Sequence, residues 1–155
     1  MCIRDSPTPY VDNMQRLSRK FETARFLLPG PVFRKAPRPT RVGLIYYGST
    51  AAAMDEAVEV LAEQSLDVDA LRVRAFPLSP GIADFVRAHD QVFVVEQNRD
   101  AQMRTLLATD LDFDPARLTS ILHYGGLPIT ARFIVREISG RLPKPVAKKK
   151  VEAVS

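Results

Sequence analysis

A single cysteine, Cys2, is all the thiol chemistry that 155 residues contain. One cysteine excludes an internal disulfide, and it excludes an iron–sulfur cluster held by this chain alone, since such clusters take about four thiolates. No apolar run approaches the ~20 residues that a membrane-spanning helix needs. The opening MCIRDSPTPYVDN lacks the apolar core of a secretory signal. The expectation is a cytoplasmic protein with no membrane partner. Hydrophobic residues make up 46% of the chain, an ordinary content for a globular fold, and the length suits one domain plus extensions.

The chain carries a formal charge of +4, and its distribution argues against a nucleic-acid partner. Residues 1–41 hold nine Lys/Arg against three acids, and residues 141–155 hold five against one. Between them, residues 42–140 hold eight against fourteen. Basic charge therefore sits in the extensions while the body is acidic, whereas a nucleic-acid reader needs a basic face on its folded domain.

Periodicity divides the chain. MCIRDS, residues 1–6, reads as a leader foreign to the rest. Residues 7–28 contain a helix over 12–26, with Asp12 as its cap and a stripe of Met14, Leu17, Phe21 and Ala24. That stripe has no partner of its own, so it docks on the following domain or belongs to the end of a missing upstream one, and the second is favoured. Residues 29–41 read as an extended linker, because Pro29, Pro31, Pro37 and Pro39 oppose regular structure.

From residue 42 to 141 strand and helix signals alternate. VGLIYY (42–47) precedes a helix with Met54, Ala57, Val58, Leu61 and Ala62 inward. ALRVRAF (70–76) alternates as a half-exposed edge strand, with Arg72 and Arg74 outward. PGIADFVRAHD supplies a short helix with Ile82, Phe85, Val86 and His89 inward, while His89 also suits a helix-terminal cation or surface group. VFVV (92–95) is apolar on both faces, as a central parallel strand should be. A helix through Met103, Leu106 and Leu107, the strand LTSILHY (118–124), and a helix opening near Thr130 complete the pattern. Four β-then-α units predict an α/β fold: three layers, α/β/α, around a largely parallel sheet. Residues 142–155, with no apolar periodicity, read as a disordered basic tail.

Ligands and partners of such sheets meet the carboxyl ends of the strands. Three junctions fall there. Gly48, Ser49 and Thr50 could cradle a phosphate at a helix start, but match neither the dinucleotide nor the P-loop pattern. The alternative is that Ser49 or Thr50 simply caps the helix, with Asp55 and Glu56 in its first turn opposing an anion. The second junction, Glu96 to Asp100, has no adjacent nucleophile–histidine pair and no metal-ligand spacing. An ion-pair network of Glu96 with Arg99 and Arg104 at a domain or subunit contact is favoured over ligand contact or a solvated turn. The third holds His123 and Tyr124, where a packed or hydrogen-bonded histidine is favoured over a catalytic one. Gly125 and Gly126 supply the turn before Pro128. No complete catalytic constellation and no metal site is read from the sequence.

Three stretches together resemble a known family. VGLIYYGSTAAAMDEA, ALRVRAFPLSPGIADFVRAHDQVFVVEQNRDAQMRTLL and LTSILHYGGLPITARFI are similar to the C-terminal part of the alpha subunit of 2-oxoacid:ferredoxin oxidoreductases, the 2-oxoglutarate branch above all. The upstream PTPYVDNMQRLSRKFETA resembles the segment of that subunit just before this part. The resemblance covers residues 7–140. It implies a transketolase C-terminal-like domain with a sheet of about five strands. It also implies that the complete enzyme oxidatively decarboxylates a 2-oxoacid on thiamine diphosphate, transfers the acyl group to coenzyme A and passes electrons through an iron–sulfur cluster to ferredoxin. The partners it implies are a beta subunit and the upstream domain of the alpha subunit. This fragment alone is expected to be inactive, to bind none of these cofactors, and to serve packing through Glu96, Asn98, Arg99, Gln102, Arg104, His123 and Tyr124. Gly48, Ser49 and Thr50 remain weak cofactor-contact candidates. Relatives commonly have glycine where Ala101 stands and an acidic residue where Gly125 stands. Alanine at 101 is expected to favour the helix. The alternative reading is a stand-alone flavodoxin-like module binding a nucleotide or phosphate at Gly48 to Thr50.

Overall fold

The computed structural model describes residues 7–142, so the leader (1–6) and the tail from residue 143 lie outside the described residues. A helix, α1 (Pro7–Leu27), precedes a short strand, β1 (Val32–Arg34). Then follow β2 (Val42–Tyr47), α2 (Thr50–Glu63), β3 (Asp69–Val73), α3 (Pro80–Ala88), β4 (Gln91–Glu96), α4 (Gln102–Asp110), β5 (Leu118–Leu122) and α5 (Ala131–Ser139). The strands form one sheet in the order β1-β3-β2-β4-β5. All pairings are parallel except β1 with β3. The expected α/β fold with a largely parallel five-stranded sheet is what forms.

The sheet is parallel because each pair of strands is joined across a helix, and helices then cover both faces. One face packs Leu44, Tyr46, Ala70, Phe93, Val95 and Ile121 against α2 and α5. The other packs Ile45, Leu71, Val73, Val92, Val94 and Leu118 against α3 and α4. Successive residues of β2 and β4 thus serve opposite cores, which is why VGLIYY and VFVV are apolar without alternation. Gly43 has a distinct reason: a Cβ there would lie 2.7 Å from the Phe85 ring and 3.1 Å from that of His89.

Several expectations change. The first helix begins at Pro7, not Asp12. Pro7 and Pro9 fall in the first turn, whose N–H groups have no intrahelical acceptor, so neither breaks the helix. None of its residues is buried, and Arg25 reaches Asp110 of α4 at 3.5 Å. The linker is not wholly irregular. Between Pro31 and Pro37, residues 32–34 pair antiparallel with Arg72, Leu71 and Ala70. An outermost strand must bond on one side only, so flanking prolines cost it little. In consequence β3, read as an edge strand over 70–76, lies inside the sheet and ends at Val73. Arg72 does point outward, while Leu71 and Val73 share a face. Leu142, placed in the tail, is half-buried and closes the turn after α5 by donating its N–H to Ile138 O at 3.1 Å.

His89 is no surface cation. It follows α3, is 2% exposed, and lies between Phe85 O (Nδ1, 2.7 Å) and Asp69 Oδ2 (Nε2, 3.1 Å). Asp69 also accepts from Lys35 Nζ at 2.6 Å and from the Ala36 N–H at 2.8 Å. Burial alone would raise the Asp69 carboxyl, but these donors, Lys35 foremost, hold it below its usual value.

Gly43→Ala should destabilise the chain by about 1–3 kcal/mol, because Phe85 and His89 are themselves packed and have nowhere to retreat. The check is a lower urea midpoint at an unchanged slope.

Candidate functional site

Strands β2, β3, β4 and β5 all end at one edge of the sheet, and the sequence candidates gather there. The chain leaves β2 through α2 toward one face and β4 through α4 toward the other. The gap between the ends of these neighbouring strands is therefore the topological switch point, where such sheets hold ligands. Here amide side chains span it. Gln97 Nε2 donates to Ser49 Oγ at 3.0 Å and to Thr50 Oγ1 at 3.2 Å, and Asn98 Nδ2 lies 3.4 Å from Tyr47 Oη.

Glu96 is the centre of the junction, and it faces inward. Its side chain is 0% exposed. Oε2 accepts from the Met103 N–H and from Asn98 Nδ2, each at 2.7 Å, and Oε1 accepts from the Arg104 N–H at 3.3 Å. Asn98 Oδ1 takes the Asp100 and Gln102 N–H groups at 3.0 and 3.2 Å. The free N–H groups that open α4 are thus answered by two side chains from the strand end, where the helix dipole favours negative charge. The expected ion-pair network does not form. Arg104 donates to the carbonyls of Leu118 and Pro115, both at 2.8 Å, and Arg99 pairs with Asp100 at 2.7 Å. Glu96 and Arg104 are consumed by their own domain, because a buried carboxylate and a helix start satisfy each other more fully than two long cations could. Arg99, Gln102 and Tyr124 remain exposed, with Asn98 and His123 half-buried.

Ala101 adopts φ 51°, ψ 44° immediately before α4. It is a left-handed cap, not a helical residue, so the expectation that alanine favours the helix is reversed: a Cβ there is a strain.

Ser49 and Thr50 also differ from expectation. Neither side chain caps α2; both hydroxyls accept from Gln97. Asp55 and Glu56 lie in the second turn, since α2 begins at Thr50 and has no acid in its first. Gly48, at φ 58°, makes the turn. At the third junction the His123 ring packs edge-on against Phe133 at 4.8 Å, and the His123 backbone N–H donates to Glu96 O at 3.0 Å. That is the packed histidine the sequence favoured. Of the two glycines only Gly126, φ 79°, uses a left-handed conformation.

An open groove of ≈ 600 Å³ runs along this edge, lined by Ser49, Gln97, His123, Tyr124, Leu127 and Pro128. Tyr124 is 65% and Leu127 76% exposed; across the sheet Phe76 is 51% exposed beside a second groove of ≈ 290 Å³ under Tyr47, Arg74 and Met103. The edge thus combines apolar knobs with the Arg99 and Arg74 cations. Among the described residues no group of three His, Cys, Asp or Glu could hold a metal, and no helix is long and apolar enough to cross a membrane. Sequence reasoning missed Gln97 and Leu127; the signal for Gln97 was an amide immediately after a buried strand, opposite a hydroxyl pair.

No protein-family model and no curated protein matches the chain. Among solved structures it superposes on part of "2-oxoglutarate:ferredoxin oxidoreductase from Magnetococcus marinus with 2-oxoglutarate, coenzyme A and succinyl-CoA bound", at TM-score 0.76 and 22% identity over 87% of this chain. The chain has the fold of that part. It spans 23% of the length of that structure's chain. The alpha chain of a probable 2-oxoacid ferredoxin oxidoreductase from Thermoplasma acidophilum aligns over 72% of this chain and 95% of its own, at 19% identity. The TM-score of that superposition is 0.48.

Two substitutions test the junction. Glu96→Gln sets an amide N–H against a backbone N–H and should cost about 2–3 kcal/mol of stability. Ala101→Gly should instead stabilise by about 0.5–1 kcal/mol, since the left-handed cap then carries no Cβ. Urea denaturation of each variant against the parent reads both.

Proposed function

We propose that the chain is the transketolase C-terminal-like part of the alpha subunit of a 2-oxoglutarate:ferredoxin-type oxidoreductase. Its work is to pack against the upstream domain of that subunit and against a beta subunit, in a cytoplasmic enzyme. The observation that carries the reading is the superposition over 87% of the chain on a stretch of a 2-oxoglutarate:ferredoxin oxidoreductase. The resemblance of VFVVEQNRDAQ and LHYGGLPITARFI to that family supports it from the sequence. Thiamine diphosphate, coenzyme A, the iron–sulfur cluster and ferredoxin belong, on this reading, to the assembled enzyme. The oxidative decarboxylation of a 2-oxoacid to its acyl-CoA is then done where those groups meet, and the fragment alone is inactive.

The packing surface is the carboxyl edge of the sheet. Arg99, Gln102, His123 and Tyr124 stay in it from the sequence candidates, with Asn98 at its border, and Leu127 and Phe76 join them. Glu96 and Arg104 act one step back, by fixing the turn that presents Arg99. Exposed aromatics with a flanking arginine are the side chains that anchor protein interfaces. Gly48, Ser49 and Thr50 are poor cofactor contacts, because the two hydroxyls already bind Gln97 and Thr50 is buried.

The test is co-purification of the 155-residue chain with the remaining alpha-subunit domains and the beta subunit, followed by assay with 2-oxoglutarate, coenzyme A and ferredoxin. Turnover is expected from the reconstituted set and not from the chain alone. Arg99→Glu and Tyr124→Ala should each weaken co-purification about tenfold or more, the effect of losing one interface anchor. Turnover by the isolated chain overturns the reading. So does calorimetric binding of flavin or a nucleotide at Gly48 to Thr50 without any association with the other subunits.

A further inference from the structure

The two outer strands of the sheet are finished differently. β1 has three residues behind Pro31, whereas β5 covers Leu118–Leu122 and its ladder runs on to His123. From residue 118 to 131 the chain has no Lys, Arg, Asp or Glu, and its first proline is Pro128. Neither of the usual sequence guards of an open edge, a charge or a proline, stands in this strand. The ladder fixes which backbone groups look outward. The His123 N–H donates to Glu96 O at 3.0 Å, and Leu122 is in register with Glu96. Alternation along the pair then turns the backbone groups of Thr119, Ile121 and His123 toward β4, and those of Leu118, Ser120 and Leu122 away from it. Leu118 obeys this rule: its N–H goes to Pro115 O, and its carbonyl accepts from Arg104 Nε at 2.8 Å. Among the described residues nothing bonds the outward N–H and C=O of Ser120 and Leu122.

We propose that the outer edge of β5 pairs antiparallel with the same edge of a second copy of this chain, about a twofold axis beside Ile121, joining the two sheets into one. A second copy is the occupant because the open groups complement themselves. In an antiparallel pair, hydrogen-bonded positions alternate with non-bonded ones. With Ile121 opposite its own symmetry mate at a non-bonded position, Ser120 of each copy faces Leu122 of the other. Each such pair exchanges two N–H···O=C bonds, so every open group on both copies is used. A twofold interface requires this, the same patch serving both sides. A longer unrelated strand would meet Leu118, whose N–H and C=O are already bound within the domain.

The side chains suit the same register. Ser120 and Leu122 alternate with Ile121 and are half-buried, so each Leu122 gains the small Ser120 of the second copy as a cross-strand neighbour. Thr119 then stands opposite His123, and no Lys, Arg, Asp or Glu within the strand meets a like charge across the axis. The far edge of each sheet is the three-residue β1, so association stops at two copies. Ser120 and Leu122 lie along the side of a strand, whereas Arg99, Tyr124, Leu127 and Phe76 follow strand ends. The pairing therefore does not rest on the packing role proposed for the carboxyl edge.

Light scattering of the full chain over a dilution series tests the pairing, with amide exchange at both ends of the series. The mass should rise with concentration toward twice the 17.3 kDa of one chain. The Ser120 and Leu122 N–H groups should gain about tenfold in protection in the dimer, as for one hydrogen bond made at each. The Ile121 N–H, turned to β4, should be protected alike at both concentrations. Ser120→Pro removes only an outward donor, which an edge strand tolerates, and should be folded and monomeric throughout. Leu122→Lys, which sets a charge beside the axis, should do the same and serves if Ser120→Pro fails to fold. A parent that stays monomeric into the millimolar range overturns the proposal. So does a dimer that persists in either folded variant, the sign of contact through another surface such as α1. Protection of Ser120 and Leu122 in a monomer overturns it too, since a segment of the same chain would then hold the edge.

Discussion

A carboxylate turned inward at the end of β4 organises this molecule. In a parallel sheet covered on both faces, each strand must hand the chain to a helix whose first N–H groups have no partner in the helix itself. At β4 the handover is made by Glu96 and Asn98, which between them take the N–H groups of Asp100, Gln102, Met103 and Arg104. The rest of the carboxyl edge is arranged around that solution. Gln97, between the two, is left free to reach across to Ser49 and Thr50. Arg104, once its N–H is fixed, lies along the start of β5 and ties the preceding loop by two carbonyls. One polar cluster thus sets the start of α4, the closure of the gap between β2 and β4, and the approach of β5.

How much of this was legible in the sequence depended on range. Local periodicity found the four long strands, their helices and the helix start near Thr130, where the structure adds that Thr130 Oγ1 accepts from the Phe133 N–H. The double-sided burial of VFVV was legible because both cores leave their mark on one strand. Longer-range pairings were not. Nothing near Val32–Arg34 announces that Arg72, Leu71 and Ala70 will bond it, and the prolines around it argue for the reverse. Glu96 was read as an ion-pair partner of Arg99 and Arg104 at a domain or subunit contact, from the arginines near it in sequence; only the fold brings the Met103 and Arg104 N–H groups back onto it. His89 lies inward as the helical stripe implied, but the surface-group alternative fails, since its acid lies twenty residues away on another element. Ala101 was misjudged by one position, since a residue just before a helix obeys the rules of caps and not of helix interiors.

The two edges of the sheet have different chemistries. At the carboxyl edge the buried polar groups are spent on turns, and what faces outward is Tyr124, Leu127, Phe76 and Arg99. At the amino edge the polar groups are buried and shared, and they hold a segment of the same chain. The switch-point gap, which in many sheets of this topology receives a ligand, is here bridged by amides. That division makes a packing role consistent with the same construction that gives the domain its stability.

The shortest strand has a further consequence. Without β1, the row of N–H and C=O groups along β3 would face solvent beside a largely apolar strand, a template on which any extended chain could add itself. Three residues, preceded by Pro31 and followed by Lys35, cover that row and then present an outer side only three residues long, too short to recruit a successor. A chain clipped between β1 and β2 would therefore be expected to lose solubility before it loses its core, through edge-to-edge growth rather than unfolding.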